Sequence, residues 1–142
     1  MNNKIVLLIL LFLFSVSCSR GWQNISEGTD PEGGKFILAL DRSDIHELGG
    51  VKKAWVRKTF EKPKTLKNGK SYQETYVYLA VNCMDKKYSI LQIGMTNPGS
   101  SDFVHTVQFS KDNDELIWKD VPSDNISQRL YEELCTWYKS YL

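Results

Sequence analysis

The sequence predicts an α+β fold, an antiparallel meander of about six strands with one C-terminal helix packed on it. Three observations predict this. Between Lys35 and Lys119, short apolar or alternating runs are separated by turn residues, the pattern of strands. The one long stretch with helical spacing stands at the C-terminus, with Ile126, Leu130, Leu134, Trp137 and Tyr141 as its apolar stripe. Cys83, at the end of the longest strand candidate, and Cys135, in that helix, are placed to join the two.

Residues 1–17 read as an export signal. Lys4 forms a short basic start, Ile5 to Phe14 an apolar run, and Ser15-Val16-Ser17 a small-residue cleavage site. Ten apolar residues make a helix of roughly 15 Å, too short for a hydrocarbon core of about 30 Å. Cys18 follows the cleavage site and is a candidate for lipidation as the new N-terminus. Ser15 stands where such sites place Leu, Val or Ile, so an ordinary signal peptidase would also cut here. That reading leaves an exposed terminal thiol, which is reactive. Ser19, rather than Asp, after the cysteine resembles the signal for passage to the outer membrane.

Removing the first 17 of the 142 residues leaves 125, enough for one domain. Residues 18–34 are polar and dotted with Gly, Pro and Asp, and read as an irregular lead-in carrying one large apolar residue, Trp22. The domain proper is expected over 35–142. Lys35 to Asp41 is a short apolar strand. Asp44 to Gly50 is a helical turn or a plain turn, and Val51 to Glu61 is a strand with charge on both sides of the pleat. Asn68-Gly69 marks a hairpin, since both residues tolerate the positive φ of a type I′ turn. Ser71 to Cys83 follows, with Thr75, Val77, Leu79, Val81 and Cys83 on one face and Tyr72, Tyr76, Tyr78 and Ala80 on the other. Lys87 to Gly94, Phe103 to Phe109 and Glu115 to Lys119 complete the meander.

Pro122, then Ser123 or Asp124 as the cap, open the helix. Cys135 falls on the edge of its apolar stripe, four residues after Tyr131. In an exported chain with three cysteines, one for a lipid leaves two for a disulfide, Cys83 with Cys135. Two separate buried thiols are the alternative.

The mature part has no net charge, because the 18 Lys and Arg of the whole chain lose Lys4 and meet 17 acids. No general affinity for nucleic acid or anionic lipid follows. The bases are concentrated instead. Lys52, Lys53, Arg57, Lys58, Lys62, Lys64, Lys67 and Lys70 are opposed only by Glu61 and form a candidate site for acidic proteins, heparin-like polymers or lipopolysaccharide phosphates. The plainer reading is an edge hairpin whose lysines discourage strand-to-strand aggregation. Tyr72, Tyr76 and Tyr78 are candidates for a protein-binding face, or for one buried beneath the lead-in or a second molecule. His46 and His105 are the only histidines and share no metal-ligand spacing. No phosphate loop, nucleophile elbow or zinc-protease helix is present. The expectation is a protein without catalytic residues, metal or cofactor.

Cys18, Trp22, the Val-x-x-Ala-Trp-Val stretch from Val51 to Val56, the Tyr-rich strand ending Val81-Asn82-Cys83, Ile117-Trp118 ahead of Val121-Pro122-Ser123, and Cys135 form an ordered set. Together they resemble the surface-adhesin protein E family of Gram-negative bacteria. The resemblance spans Trp22 to Cys135, and its strength lies in the order of Trp and Cys positions. It implies a curved antiparallel sheet, a C-terminal helix held by a disulfide, and a lipid-anchored outer-membrane protein. It also implies surface binding of host matrix or serum proteins such as vitronectin and laminin, with haem as a further family ligand. No partner-binding motif aligns residue by residue, so none is carried over. A periplasm-facing lipoprotein that supports an envelope assembly is the second expectation.

Overall fold

The computed structural model describes residues 21–109 and 116–136. The expected signal, residues 1–17, and the lipidation candidate Cys18 lie outside the described residues, as do Glu115 and the last apolar positions of the predicted helix, Trp137 and Tyr141.

Among the described residues, eight strands form one antiparallel sheet: β1 (Trp22–Thr29), β2 (Lys35–Asp41), β3 (His46–Leu48), β4 (Val51–Thr65), β5 (Ser71–Asn82), β6 (Lys87–Thr96), β7 (His105–Gln108) and β8 (Lys119–Asp120). The order across the sheet is β1-β2-β4-β5-β6-β7, with β3 paired to β4 and β8 to β6. One helix, α1 (Asn125–Thr136), packs on one face. The α+β expectation holds.

The lead-in is not irregular. Trp22–Thr29 is the edge strand, paired with β2 from Trp22↔Asp41 to Thr29↔Lys35 and bulged at Ile25. Its backbone is satisfied by β2, while much of its side-chain surface faces solvent, so its composition stays polar. Ile25 turns to the core, and Gly28 lets two side chains close in. A Cβ on Gly28 would stand 2.5 Å from Phe36 Cζ and 2.6 Å from Ile126 Cδ1. The strand ends at Asp30, whose Oδ1 accepts from the amides of Glu32 and Gly34, both at 2.9 Å.

The segment after β2 is both a helical turn and a strand, with a single 3-10 turn over Arg42–Asp44 and then β3. The β4–β5 hairpin forms where Asn68-Gly69 predicts it, with a different turn. Only Gly69 has positive φ, 82°, and Gly69 N donates to Leu66 O while Leu66 N donates to Lys70 O. This is a longer loop closed by a glycine bulge, not a two-residue type I′ turn. Asn68 acts through its side chain, accepting from Lys70 N at 3.0 Å. The predicted strand at Phe103 to Phe109 shortens to His105–Gln108, and that at Glu115 to Lys119 becomes Lys119–Asp120.

The core lies between α1 and the inner face of the sheet: Leu38, Leu40, Ala54, Val56, Leu79 and Val81 around Leu134, which is 0% exposed. Asp124 caps the helix by accepting from Ser127 N at 2.9 Å. At the other helix end Cys135 bonds Cys83, with Cα atoms 5.7 Å apart and a separation of 52 positions in sequence. Lys52 Nζ donates to the Leu134 carbonyl at 3.0 Å, and the Tyr131 hydroxyl to the Cys83 carbonyl at 2.7 Å. Arg42 of the 3-10 turn pairs with Glu133.

Candidate functional site

The face of the sheet turned away from α1 holds the candidate site. Strand alternation and register build it in rows. One row runs Ala39, Arg57, Tyr76, Gly94, Thr106 across β2, β4, β5, β6 and β7. The next runs Trp55, Tyr78, Gln92, Gln108.

Small residues let large ones lie across the first row. Trp22, on β1, reaches over β2 to meet Tyr76 edge-on, ring centroids 5.6 Å apart. The Arg57 guanidinium stands 4.8 Å from the Trp22 ring centre. β2 lies between these residues, and it presents only Ala39 there, 2% exposed. At the other side Phe103 covers Gly94, where a Cβ would fall 2.4 Å from the ring, and meets Tyr76 edge-on at 6.1 Å. Two bonds hold this loop: Val104 N to Met95 O and Thr96 Oγ1 to Asp102 O, at 2.8 and 2.9 Å. In the second row Trp55 and Tyr78 stack at 4.8 Å. The result is a continuous surface of Trp22, Arg57, Tyr76, Phe103, Trp55 and Tyr78.

Two polar features mark it. Arg57 Nε is buried without a hydrogen-bond partner among the described residues. The Tyr78 phenol has its pKa raised, first by burial and then by the Asp44 carboxylate, so it remains a protonated donor at neutral pH. Beside Tyr78 a groove of about 580 Å³ runs between His46, Leu48, Val51 and Lys53 on one side and Leu116 and Trp118 on the other. A second hollow of about 520 Å³ lies at the opposite end of β1 and β2, around Gly28, Phe36 and Phe60.

The sequence candidates divide. Tyr76, Tyr78, Arg57 and Lys53 meet on this face. Tyr72 does not join them; past the β4 irregularity between Thr59 and Lys64 its ring packs edge-on against Phe60. The basic run is dispersed rather than gathered. Lys52 is buried under α1. Lys58 is half-buried, 3.8 Å from the Phe36 ring centre, and burial pushes its ammonium pKa down against the pull of Asp30. Lys64 bridges Asp30 and Glu32 at 2.5 and 2.8 Å; the Lys64 contact holds the Asp30 carboxyl below 3.8, and Asp30 raises Lys64 in return. Lys62 is exposed on β4, and Lys67 and Lys70 flank the hairpin turn. Trp22, Trp55 and Phe103 escaped sequence reasoning as site residues. The signal for Trp55 was its place opposite Tyr78 in strands of odd and even phase; nothing local marks Phe103.

His46 contacts Asp44 at 2.7 Å, and no cluster of three metal-ligating side chains exists among the described residues. No helix among them is long and apolar enough to cross a membrane. The arrangement offers aromatic area, one guanidinium and phenolic donors, the chemistry of protein recognition.

No curated protein and no solved structure matches the chain. The family model described as surface-adhesin protein E matches residues 22–136, from the Trp22 that opens the site to the end of the helix that carries Cys135, and the chain belongs to that family.

Proposed function

We propose that this is a non-catalytic, lipid-anchored envelope protein whose open sheet face binds proteins, host matrix or serum proteins among them. The observation that carries the reading is the aromatic surface around Arg57 on the side that α1 leaves uncovered. Trp, Tyr and Arg are the residues that dominate binding energy at protein interfaces. They lose little side-chain entropy on docking, because their neighbours already hold them. Family membership supports a role in surface adhesion, and the sequence of residues 1–18 supports export and anchoring.

The test is retention of the purified chain on immobilised matrix and serum proteins at physiological salt. The wild type is expected to be retained. Trp55→Ala and Tyr78→Ala are expected to lower affinity about 10-fold or more each, as central aromatic truncations do. Retention that survives both substitutions, or no retention on any of these proteins, removes the reading.

A further inference from the structure

We propose that the end of the sheet formed by the β3–β4 and β5–β6 turns docks on the surface of a phospholipid bilayer. The proposal rests on reading Cys18 as the anchored residue and deepens it by assigning the domain's orientation. Two large apolar side chains stand at this end, largely exposed: Leu48, the last residue of β3 and a wall of the groove beside Tyr78, at 79%, and Met84, on the β5–β6 turn, at 87%. The turns adjoin: Cys83 N donates to Gly50 O at 3.4 Å, and a Cβ on Gly50 would lie 3.7 Å from Met84 Sδ. Lys86 and Lys87 are exposed next to Met84, and Val121 joins the same end by donating its amide to Lys86 O at 3.2 Å. Adjacent apolar tips beside lysines suit the boundary between headgroups and acyl chains.

Chain length points to the same occupant. Trp22 is level with Asp41 on β2, and Leu40 with Val56 on β4, so Trp22 lies level with Trp55. From Trp55 to Val51, where the β3–β4 turn closes, four residues advance about 13 Å. Chain entering β1 comes from this same end. From Cys18 to Gly21 there are three residues, which span at most about 10 Å when fully extended. An anchor at Cys18 therefore holds the Leu48 and Met84 tips against the bilayer, and the 66–70 hairpin, at the opposite end of β4, points away from it. Over residues 47–50, 83–87 and 119–120 charge is balanced, three lysines (Lys86, Lys87, Lys119) against three acids (Glu47, Asp85, Asp120). Docking is thus apolar and requires no anionic lipid.

Hydrogen exchange read by mass spectrometry tests this on the mature chain purified from membranes, with and without phosphatidylcholine vesicles. The expected result is slower exchange over 47–50 and 83–87 with vesicles, unchanged exchange over 66–70, and loss of that protection in Leu48→Ser/Met84→Ser. Unchanged exchange at both turns overturns the proposal, as does protection confined to the open sheet face. Protection that appears on concentrating the protein without lipid also overturns it, by assigning the turns to a second copy. The intact mass of the same sample decides the anchor separately. An acylated Cys18 with unprotected turns removes docking alone; protected turns on an unacylated chain remove the anchor alone.

Discussion

Arg57 has a structural part to play in the same surface that the proposed function assigns to recognition. Its guanidinium carbon stands 4.8 Å from the centre of the Trp22 ring, and Trp22 in turn meets Tyr76, so the edge strand β1 is joined to β4 and β5 through side chains as well as through β2. Trp22→Ala removes an aromatic pair and a cation–π contact, each worth about 1 kcal/mol. The expected loss is about 2 kcal/mol in urea unfolding, with β1 amides exchanging faster than those of β5. Two carboxyls contribute to the sensitivity to acid. Asp30 is held below 3.8 chiefly by its bond to Lys64, and Asp124 chiefly by the Ser127 amide it caps. A carboxyl with a depressed folded pKa binds fewer protons folded than unfolded, so stability falls as pH falls. Both contributions are complete above pH 3.8 and disappear as pH drops through the lower folded values. Unfolding midpoints measured down the acid range are expected to fall, and Asp124→Asn is expected to flatten part of that slope.

At the scale of elements, α1 is a short helix held by attachments at both ends. Twelve residues form a marginal helix alone. Asp124 caps one end; at the other the disulfide, the Lys52 ammonium on the Leu134 carbonyl and the Tyr131 hydroxyl on Cys83 converge. Replacing both Cys83 and Cys135 by Ser reopens a loop of about fifty residues, at a cost of about 4 kcal/mol in the chain-entropy model. The expected outcome is a lower urea midpoint with fast exchange across 125–136, while β4, β5 and β6 stay protected. Retained helix protection at unchanged midpoint would show that packing around Leu134 suffices. This element was legible in the sequence because apolar spacing, cap and cysteine all lie within one short window. β1 was not. An edge strand needs one partner for its backbone and few apolar side chains, so Trp22–Thr29 carries no alternation to detect. The Asn68-Gly69 pair located its turn without specifying its type, since only Gly69 adopts positive φ.

For the whole molecule, what sequence proximity suggested about charge is undone by the sheet. Eight bases within nineteen residues look like one polyanion site only while the chain is read as a line. Pleating sends Lys52 and Lys58 to the helix side and Lys53 and Arg57 to the open face, and antiparallel pairing carries Lys67 and Lys70 to the far end. Lys52 then meets a helix carbonyl, Lys64 two carboxylates and Lys58 an aromatic ring. The same pleating did the reverse for the aromatics: Trp22, Trp55, Tyr76, Tyr78 and Phe103, dispersed over eighty residues, converge. Polyanion affinity grows with the number of cations that can neutralise one chain of phosphates or sulfates at once. Here Lys62, Lys67 and Lys70 are the exposed remainder of the run, on a chain whose formal net charge is only +1. The chain is therefore expected to pass unretained through immobilised heparin at about 0.15 M salt, where the screening length is about 8 Å. Binding to a protein partner through the aromatic face is expected to change little over the same salt range. Strong heparin retention, abolished by Lys62→Gln, Lys67→Gln and Lys70→Gln together, would relocate the recognition surface from the open face to the hairpin.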